Sequence, residues 1–293
     1  RKPTTTRAMA VSDFQIGLLT PDDLADADAL VKEAGWNQTE ADWRVFLDLG
    51  SVFAIRDRDR VIATAATLPY GGRFAWISMV LIAGEYRRRG LATRLMERCI
   101  ETISAAGLVP ILDATPAGRA VYLGLGFQDS WPFQRMLLKE RAKRPEGSSP
   151  LEVEPVTDKD WNELCAYDAK WFGADRSAVL SRLRGRLPEA EALVRKDGKA
   201  AGFLLGRKGR RAAQIGPLVA DDSETAAALL EYAAGTVAAP VYIDVMDDKT
   251  ALIDRLKATG FVHERPYTRM MLGRSESFQD LPRTFAVAGP ELG

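Results

Sequence analysis

The residues best suited to bind an anion form a basic, glycine-containing turn between a predicted strand and a predicted helix. Residues 75–82 are an apolar run, and residues 91–106 repeat apolar side chains at the spacing of four that marks one helical face. The first N–H groups of a helix lack acceptors and lie at the positive end of its dipole. Gly90 lets a ligand approach the main chain without meeting a Cβ atom. We expect a phosphate or pyrophosphate to bind at Arg87, Arg88, Arg89, Gly90, Leu91, Ala92 and Thr93.

The three arginines also have a simpler interpretation as the solvated start of a helix. Neither G-x-G-x-x-G nor G-x-x-x-x-G-K-[ST] occurs at this turn, so it is not one of the usual nucleotide loops. Whether the turn binds an anion or is only a solvated helix start depends on the elements that position the turn and on the residues that follow it.

The composition favours a globular chain with about two domains. Its 293 residues include 46% hydrophobic ones, enough for a buried core. Lys plus Arg and Asp plus Glu both number 40, so no overall positive field favours nucleic acid or an anionic membrane. A single histidine, His263, and two cysteines leave few ligands for a metal and no disulfide framework. Without a transmembrane run, we expect a cytoplasmic protein without a metal, with residues 1–13 disordered or derived from a tag.

The first half alternates between strand and helix patterns. Thr20 and Pro21 begin a helix that Gly35 ends, and a second short helix follows it. Strands are predicted at residues 14–19, 52–55, 61–68, 74–82 and 108–114, with antiparallel strands at 127–138 after a helix that Thr115 caps. The predicted order is β-α-α-β-β-β-α-β-α-β.

The second half repeats the first. Gly126-Phe127 precedes Pro132-Phe133-Gln134-Arg135-Met136 by four residues, and Gly260-Phe261 precedes Pro266-Tyr267-Thr268-Arg269-Met270 in the same way. Earlier matches are Thr20-Pro21-Asp22-Asp23 with Thr157-Asp158-Lys159-Asp160, and Ala54-Ile55-Arg56 with Leu193-Val194-Arg195. A repeat of this length indicates two copies of one fold, here separated by a predicted linker at residues 141–150.

The turn Arg87-x-x-Gly90-x-Ala92 resembles the [RQ]-x-x-G-x-[GA] signature of the GNAT N-acetyltransferase superfamily, which holds the pyrophosphate of acetyl-CoA. The segment from Thr115 to Phe127 is similar to the superfamily's N-x-x-A-x-x-L-Y-x-x-x-G-F helix. The resemblance, to a bacterial two-domain form, implies an α/β fold of the α+β type with a mixed sheet, built as two tandem GNAT-like domains. It also implies acetyl transfer from acetyl-CoA to an amine.

Within that resemblance, several residues receive expected roles. The pantetheine arm pairs with the main chain of Val80, Leu81 and Ile82, and an N–H near Val80 faces the thioester oxygen. Tyr122 matches the tyrosine that protonates the leaving thiolate, which a phenol with a pKa of about 10 can do at neutral pH; a core aromatic is the alternative. Asp113 is a candidate base, and a strand-end carboxylate with local hydrogen bonds is its alternative.

The pattern is not complete. Thr115 replaces the usual asparagine and Gly118 the usual alanine, which puts the contacts of those side chains to acetyl-CoA in doubt. In the second copy the turn reads Asp221-Asp222-Ser223-Glu224, which repels a pyrophosphate, and Leu256 stands where the first copy has Tyr122. The expected domains are a catalytic one that binds acetyl-CoA at residues 14–140, a degenerate copy at 151–272, and a C-terminal extension at 273–293 that adds a strand or clasps the domains.

The expected acceptor is a primary amine of a small molecule, such as an amino acid, a polyamine or an amino sugar. Trp36 and its region, with Asp175, Asp244 or Asp247 of the second copy, are candidate substrate-binding residues, because acidic groups attract a cationic amine. Fold does not define the substrate, so a CoA-binding sensor or interaction module without turnover and a protein or peptide N-acetylase stay open. A monomer and a homodimer are both compatible with the sequence.

Overall fold

The computed structural model describes residues 14–140 and 150–293, so the predicted start at 1–13 and residues 141–149 of the predicted linker lie outside the described residues. The first half contains β1 (Ile16–Leu18), α1 (Leu24–Ala34), α2 (Glu40–Leu49), β2 (Ser51–Asp57), β3 (Arg60–Tyr70), β4 (Phe74–Ile82), α3 (Leu91–Ala105), β5 (Val109–Ala114), α4 (Pro116–Gly124) and β6 (Phe127–Leu138). The second half contains β7 (Val153–Pro155), α5 (Trp161–Phe172), α6 (Ser177–Leu183), β8 (Ala192–Lys196), β9 (Lys199–Arg207), β10 (Ala213–Ala220), α7 (Ser223–Thr236), β11 (Val241–Met246), α8 (Thr250–Ala258), β12 (Val262–Leu272) and β13 (Thr284–Ala286). The predicted order of the first half is confirmed, and the second half repeats it before adding β13.

One mixed sheet of 13 strands runs through the described residues, in the order β1-β2-β3-β4-β5-β12-β6-β11-β13-β10-β9-β8-β7. The two halves exchange strands: β12 of the second half lies between β5 and β6, and β6 pairs with β11 of the second half. Both halves therefore complete each other's sheet. A strand that is paired on both sides leaves no open edge at the junction.

Residues 127–138 do not form separate strands that close the first unit, so that prediction is wrong. They form the single strand β6, and β12 takes the place beside β5. Equivalent residues of the repeat meet where β6 and β12 pair, with Phe133 opposite Tyr267. Their rings stack 5.0 Å apart at an interplanar angle of 11°. The closing motif found in both copies is thus the interface between them.

The helices cover the sheet with the faces that the sequence predicts. α3 packs on β3 and β4, and α7 packs in the same way on β9 and β10. Leu91, Leu95, Cys99 and Ile103 of α3 are all buried, as their spacing of four predicts. This packing fixes the start of α3 beside the end of β4. Within the described residues, no helix combines the length and the apolar character that crossing a bilayer requires.

Candidate active site

β4 and β5 form a V-shaped opening. The two strands are parallel and pair only where Phe74, Ala75 and Trp76 meet the start of β5. From Ile77 onward, β4 pairs with β3 on one side, and on the other side it has no strand partner within residues 14–140 and 150–293. Its main chain is therefore available to a ligand that enters the opening.

A bulge in β4 lies at this opening. Between Ser78 and Leu81, β4 contains one more residue than the facing stretch of β3. Met79 adopts a φ of 52°, in the left-handed region that residues other than glycine seldom use. The Thr64 hydroxyl fixes this conformation by donating to the Met79 carbonyl oxygen at 2.8 Å. The bulge places Val80 on the wall of the cavity below the opening.

The basic turn precedes α3, as predicted. Gly90 has a φ of 76°, and no atom of the described residues lies within 4 Å of the place that a Cβ atom would occupy. The side chains of Arg87, Arg88 and Arg89 are exposed. Arg87 also donates to the carbonyl oxygen of Ile82 at 3.2 Å, which ties the turn to the end of β4. The turn thus presents positive charge and the free N–H groups of a helix start next to the opening; its binding of pyrophosphate stays a prediction.

Tyr122 of α4 lines the same cavity as Val80. Its ring lies over Gly118, where a Cβ atom would be 3.0 Å from Tyr122 Cε2. Thr115 caps α4, because its hydroxyl oxygen accepts the Gly118 N–H at 3.3 Å. Burial raises the pKa of Tyr122 above its ordinary value, so the hydroxyl keeps its proton at neutral pH. The two departures from the family pattern thus have structural roles: Thr115 caps the helix that carries Tyr122, and Gly118 leaves room for the Tyr122 ring.

Asp113, the predicted base, has a fixed partner. Its side chain is fully buried, and Oδ1 and Oδ2 accept hydrogen bonds from Nε and Nη2 of Arg269, each at 2.8 Å. The guanidinium of Arg269 lies 4.4 Å from the ring of Trp76 and 4.2 Å from that of Trp131. Burial raises the pKa of Asp113, and the charge of Arg269 opposes that rise. These contacts favour the structural alternative for Asp113.

The opening leads into a cavity of about 240 Å³ whose wall comes from both halves. Residues on the wall include Trp36, Val80 and Tyr122 of the first half and Tyr242, Arg265 and Glu291 of the second. Of the predicted site residues outside the basic turn, the structure brings Trp36, Val80, Asp113 and Tyr122 together here. A small molecule in this cavity would lie between the two halves.

The three aspartates predicted to bind substrate, Asp175, Asp244 and Asp247, are not among the described residues on the cavity wall, and Asp247 accepts a hydrogen bond from the Gln134 amide at 2.8 Å. Asp244 is the second-half counterpart of Asp113: it is fully buried, and both its oxygens accept from Arg135 at 2.8 Å. Asp175 is exposed at the start of α6, where its carboxylate accepts the Ser177 N–H at 2.8 Å and this bond lowers its pKa. The carboxylates of Asp244 and Asp175 hold the fold in these contacts, which do not support the predicted substrate roles.

Three polar residues that line the cavity, Ser78, Gln38 and Glu291, were not predicted from the sequence. Ser78 Oγ, Gln38 Oε1 and Glu291 Oε2 are buried and have no hydrogen-bond partner among the described residues. Gln38 lies in the region around Trp36 that the sequence singled out. Glu291 lies in the C-terminal extension, for which the sequence predicted an added strand or a clasp between the domains but no part in the site.

The second half has the same V between β10 and β11, but a strand fills it. β10 and β11 pair in parallel only through Ala213, Gln214 and Ile215. Further along, Ala286 of β13 pairs with Leu218 of β10 and also with Val245 of β11. The position that is open in the first half is therefore occupied by the chain itself.

The start of α7 in the second half is occupied by a carboxylate. Asp222 accepts the Thr225 N–H at 2.9 Å and lies 2.5 Å from the Lys196 ammonium. Burial acts to raise the pKa of Asp222, but Lys196 and Thr225 lower it to about 2. An ionised side chain thus takes the place where the first half presents a basic turn. In the part of the chain that the structure describes, no three His, Cys, Asp or Glu side chains are grouped to hold a metal ion.

Comparison with known proteins finds the same family in both halves of the chain. The Acetyltransferase (GNAT) family profile matches residues 22–127, and an Acetyltransferase (GNAT) domain profile matches residues 164–286. The uncharacterized N-acetyltransferase YitH of Bacillus subtilis is 27% identical over 233 residues, which are 79% of this chain and 82% of YitH.

Solved structures share the fold over nearly the whole chain. A candidate acetyltransferase of Pyrococcus horikoshii superposes with a TM-score of 0.78, at 24% identity and 99% coverage of both chains. A tandem GNAT protein from the clavulanic acid biosynthesis pathway gives a TM-score of 0.63 at 17% identity, over 90% of this chain and 100% of that one. The chain belongs to the GNAT superfamily of N-acetyltransferases and contains two such domains in tandem.

Proposed function

We propose that this acetyltransferase moves the acetyl group of acetyl-CoA directly to the primary amine of a small molecule, with both substrates bound at once. The observation that carries this proposal is the open V of the first half, which leads into a cavity walled by both halves. A walled cavity suits a small acceptor better than an extended peptide, which needs an open groove.

The residues of the first half fit acetyl-CoA. Val80, Leu81 and Ile82 would pair with the pantetheine arm, and the turn from Arg87 to Thr93 would hold the pyrophosphate. The space around Gly90 and the free edge of β4 are the features that this fit requires. The same positions in the second half are filled by β13 and Asp222, so we assign binding and catalysis to residues 14–140 and a degenerate role to residues 151–272.

Acetyl transfer then needs three contributions from this chain. The cavity holds the amine near the thioester, which replaces a bimolecular encounter by a positioned reaction. A main-chain N–H at the bulge near Val80 stabilises the negative charge on the thioester oxygen. As the C–N bond forms and the C–S bond breaks, the Tyr122 hydroxyl donates its proton to the leaving thiolate.

The release of thiol tests this function. The full chain, given acetyl-CoA and a panel of amino acids, diamines and amino sugars, is expected to release thiol at a rate that rises with amine concentration. Mass spectrometry of the mixture should show an acetylated amine. Tight binding of CoA without amine-dependent thiol would reject transfer to a small amine and favour a sensor, and turnover with peptides alone would favour an N-acetylase of proteins.

A further inference from the structure

The segment at residues 287–293 connects the filled V of the second half with the cavity of the first. It follows β13 directly, and the Val287 N–H donates to the Asp244 carbonyl oxygen at 3.0 Å. Farther along, the Tyr70 hydroxyl donates to the Leu292 carbonyl oxygen at 2.7 Å. These contacts anchor the segment at both ends, and Glu291 lies between them on the cavity wall.

The two carboxylate oxygens of Glu291 differ in their contacts. Oε1 accepts a hydrogen bond from Nη2 of Arg207, and the two side chains are each only 4% exposed. Oε2 is buried and has no hydrogen-bond partner among the described residues. A buried acceptor without a partner is unfavourable, and more so when it is charged. Glu291 lines the cavity and therefore carries an oxygen that would gain from a donor in a ligand.

The orientation of Glu291 is set by a buried network. Nε of Arg207 lies 3.2 Å from Asp42 Oδ1, and Nη1 of Arg207 donates to the Ala288 carbonyl oxygen. Gly289 makes room for this pair, because a Cβ atom there would lie 2.7 Å from Arg207 Nη2 and 2.9 Å from Glu291 Oε2. Its φ of 142° is also one that side chains rarely allow. The free oxygen is thus held in place before any ligand binds.

Two more residues that line the same cavity carry a buried oxygen without a partner among the described residues, Ser78 Oγ and Gln38 Oε1. Each oxygen can accept a hydrogen bond, as Glu291 Oε2 can. A primary ammonium carries three N–H donors and a positive charge, so it complements the unpaired oxygen of a carboxylate that lies in the same cavity wall as neutral acceptors. The other carboxylates near the cavity already have partners: Asp113 has Arg269, and Glu264 accepts the Tyr242 hydroxyl at 3.1 Å.

We propose that Glu291 binds the acceptor as its ammonium ion and takes the first of the two protons that the nitrogen loses, an inference that rests on the proposed function. Transfer of that proton to Glu291 leaves the neutral amine, whose lone pair attacks the thioester carbon. The C–N bond forms, the C–S bond breaks, and Tyr122 protonates the thiolate. The second nitrogen proton restores the Tyr122 hydroxyl, and Glu291 returns its proton to water, so the overall reaction releases one proton.

Glu291→Gln tests this assignment, since the amide keeps the size of the side chain and an oxygen for Arg207. We expect the KM for the amine to rise at least about tenfold, because a charged hydrogen bond is lost, while the Kd for acetyl-CoA stays the same. The ratio of wild-type to variant kcat/KM should fall as the pH rises towards the pKa of the amine, because the free amine then forms without a base. Glu264→Gln, a carboxylate change on the same wall, is the control, and we expect little effect from it.

Binding measurements keep the test independent of turnover. The probe is the amine that supports the highest rate, or each amine of the panel in turn if none supports turnover. In the presence of CoA, the probe should raise the melting temperature of the wild type but not that of Glu291→Gln. If the glutamine variant does not fold, Glu291→Asp should raise the KM and keep the wild-type pH profile. A glutamine variant with wild-type KM, pH profile and melting shift would overturn the assignment while leaving the proposed function intact. Absence of amine-dependent thiol in the wild type would reject the proposed function, and absence of any melting shift would also overturn the role of Glu291.

Discussion

Arg269 of β12 and Asp113 of β5 form a fully buried, two-bond ion pair that joins the second half of the chain to the first. Arg135 of β6 and Asp244 of β11 form the same pair in the opposite direction. The two arginines are equivalent in the repeat, and so are the two aspartates. Each exchanged strand is therefore held in place by one of its arginines, which forms an ion pair with an aspartate of the other half.

Replacement of Arg269 should destabilise the fold strongly. Arg269→Met leaves the Asp113 carboxylate buried without its partner, which costs about 3–5 kcal/mol. Urea unfolding of the full chain measures this loss. The double variant Arg269→Met with Asp113→Leu should recover part of it, because no buried charge is left. A single variant within 1 kcal/mol of the wild type would show that the pair does not hold the strands.

Tyr122→Phe should lower turnover by about 100-fold, the usual size of a general-acid contribution, and leave the Kd for acetyl-CoA within about twofold. Because burial raises the pKa of Tyr122 above the ordinary tyrosine value of 10.0, the phenol keeps its proton up to at least pH 10.0. The kcat of the wild type should therefore show no decrease at any pH up to 10.0 that comes from loss of this proton. Steady-state kinetics across the alkaline range measure both effects. Tyr232→Phe in the second half is the control, and equal rates for the two variants would exclude the acid role.

Local sequence signals predicted the helix start at Thr20 and its repetition at Thr157. Thr20 and Thr157 each donate N–H and hydroxyl hydrogen bonds to the aspartate three residues later, with distances of 2.7–2.9 Å. The strand and helix order and the buried face of α3 also followed from spacing alone. These features depend on residues close in the chain, so a short window of sequence contains them.

The strand exchange, and the part of the cavity wall that comes from the second half, were not predictable from short windows of sequence. β6 has the same alternation whether it pairs with its own half or with the other, so periodicity cannot choose its neighbour. Glu291 acquires its orientation from Arg207, which lies 84 residues away in the chain. The sequence repeat did single out the segments that form β6 and β12. The matched Arg135 and Arg269 were the sign in the sequence that both strands make equivalent contacts.

Gly90→Asp should weaken acetyl-CoA binding by at least about 100-fold, because it adds a carboxylate and a side chain where the pyrophosphate would lie. Isothermal titration measures the affinity. Gly185→Asp is a matched control, because Gly185 also has a positive φ, 77°, and no atom of the part of the chain that the structure describes lies within 4 Å of its Cβ position. Gly185 lies in the second half. Equal affinity of both variants would place the pyrophosphate elsewhere.

Arg265 should select acceptors that carry an anionic group. It lines the cavity, is half-buried, and has no ion-pair partner among the described residues. We expect 4-aminobutanoate to have a KM about tenfold below that of 1,4-diaminobutane, which differs only at the far end, because the guanidinium attracts a carboxylate and repels an ammonium. Arg265→Met should remove the difference. The opposite preference in the wild type would exclude this role.

Asp42 of α2 connects the first half to two arginines of the second, and its ionisation should stabilise the fold. Burial acts to raise the pKa of Asp42, but Arg207 and Arg186 outweigh it and hold the pKa below the ordinary value of 3.8. A depressed folded-state pKa gives stability that is fully present above the unfolded-state value and is lost as the pH falls through the folded-state value. Asp42→Asn should therefore cost about 3 kcal/mol or more at neutral pH, with a gap from the wild type that narrows only below about pH 4. Urea unfolding at several pH values measures this difference in the free energy of unfolding. Asp158→Asn, at an exposed aspartate, is the control and should leave the free energy of unfolding unchanged. A difference between Asp42→Asn and the wild type that already disappears between neutral and mildly acidic pH would contradict the assignment. Because Arg207 also orients Glu291, the same variant should raise the KM for the amine.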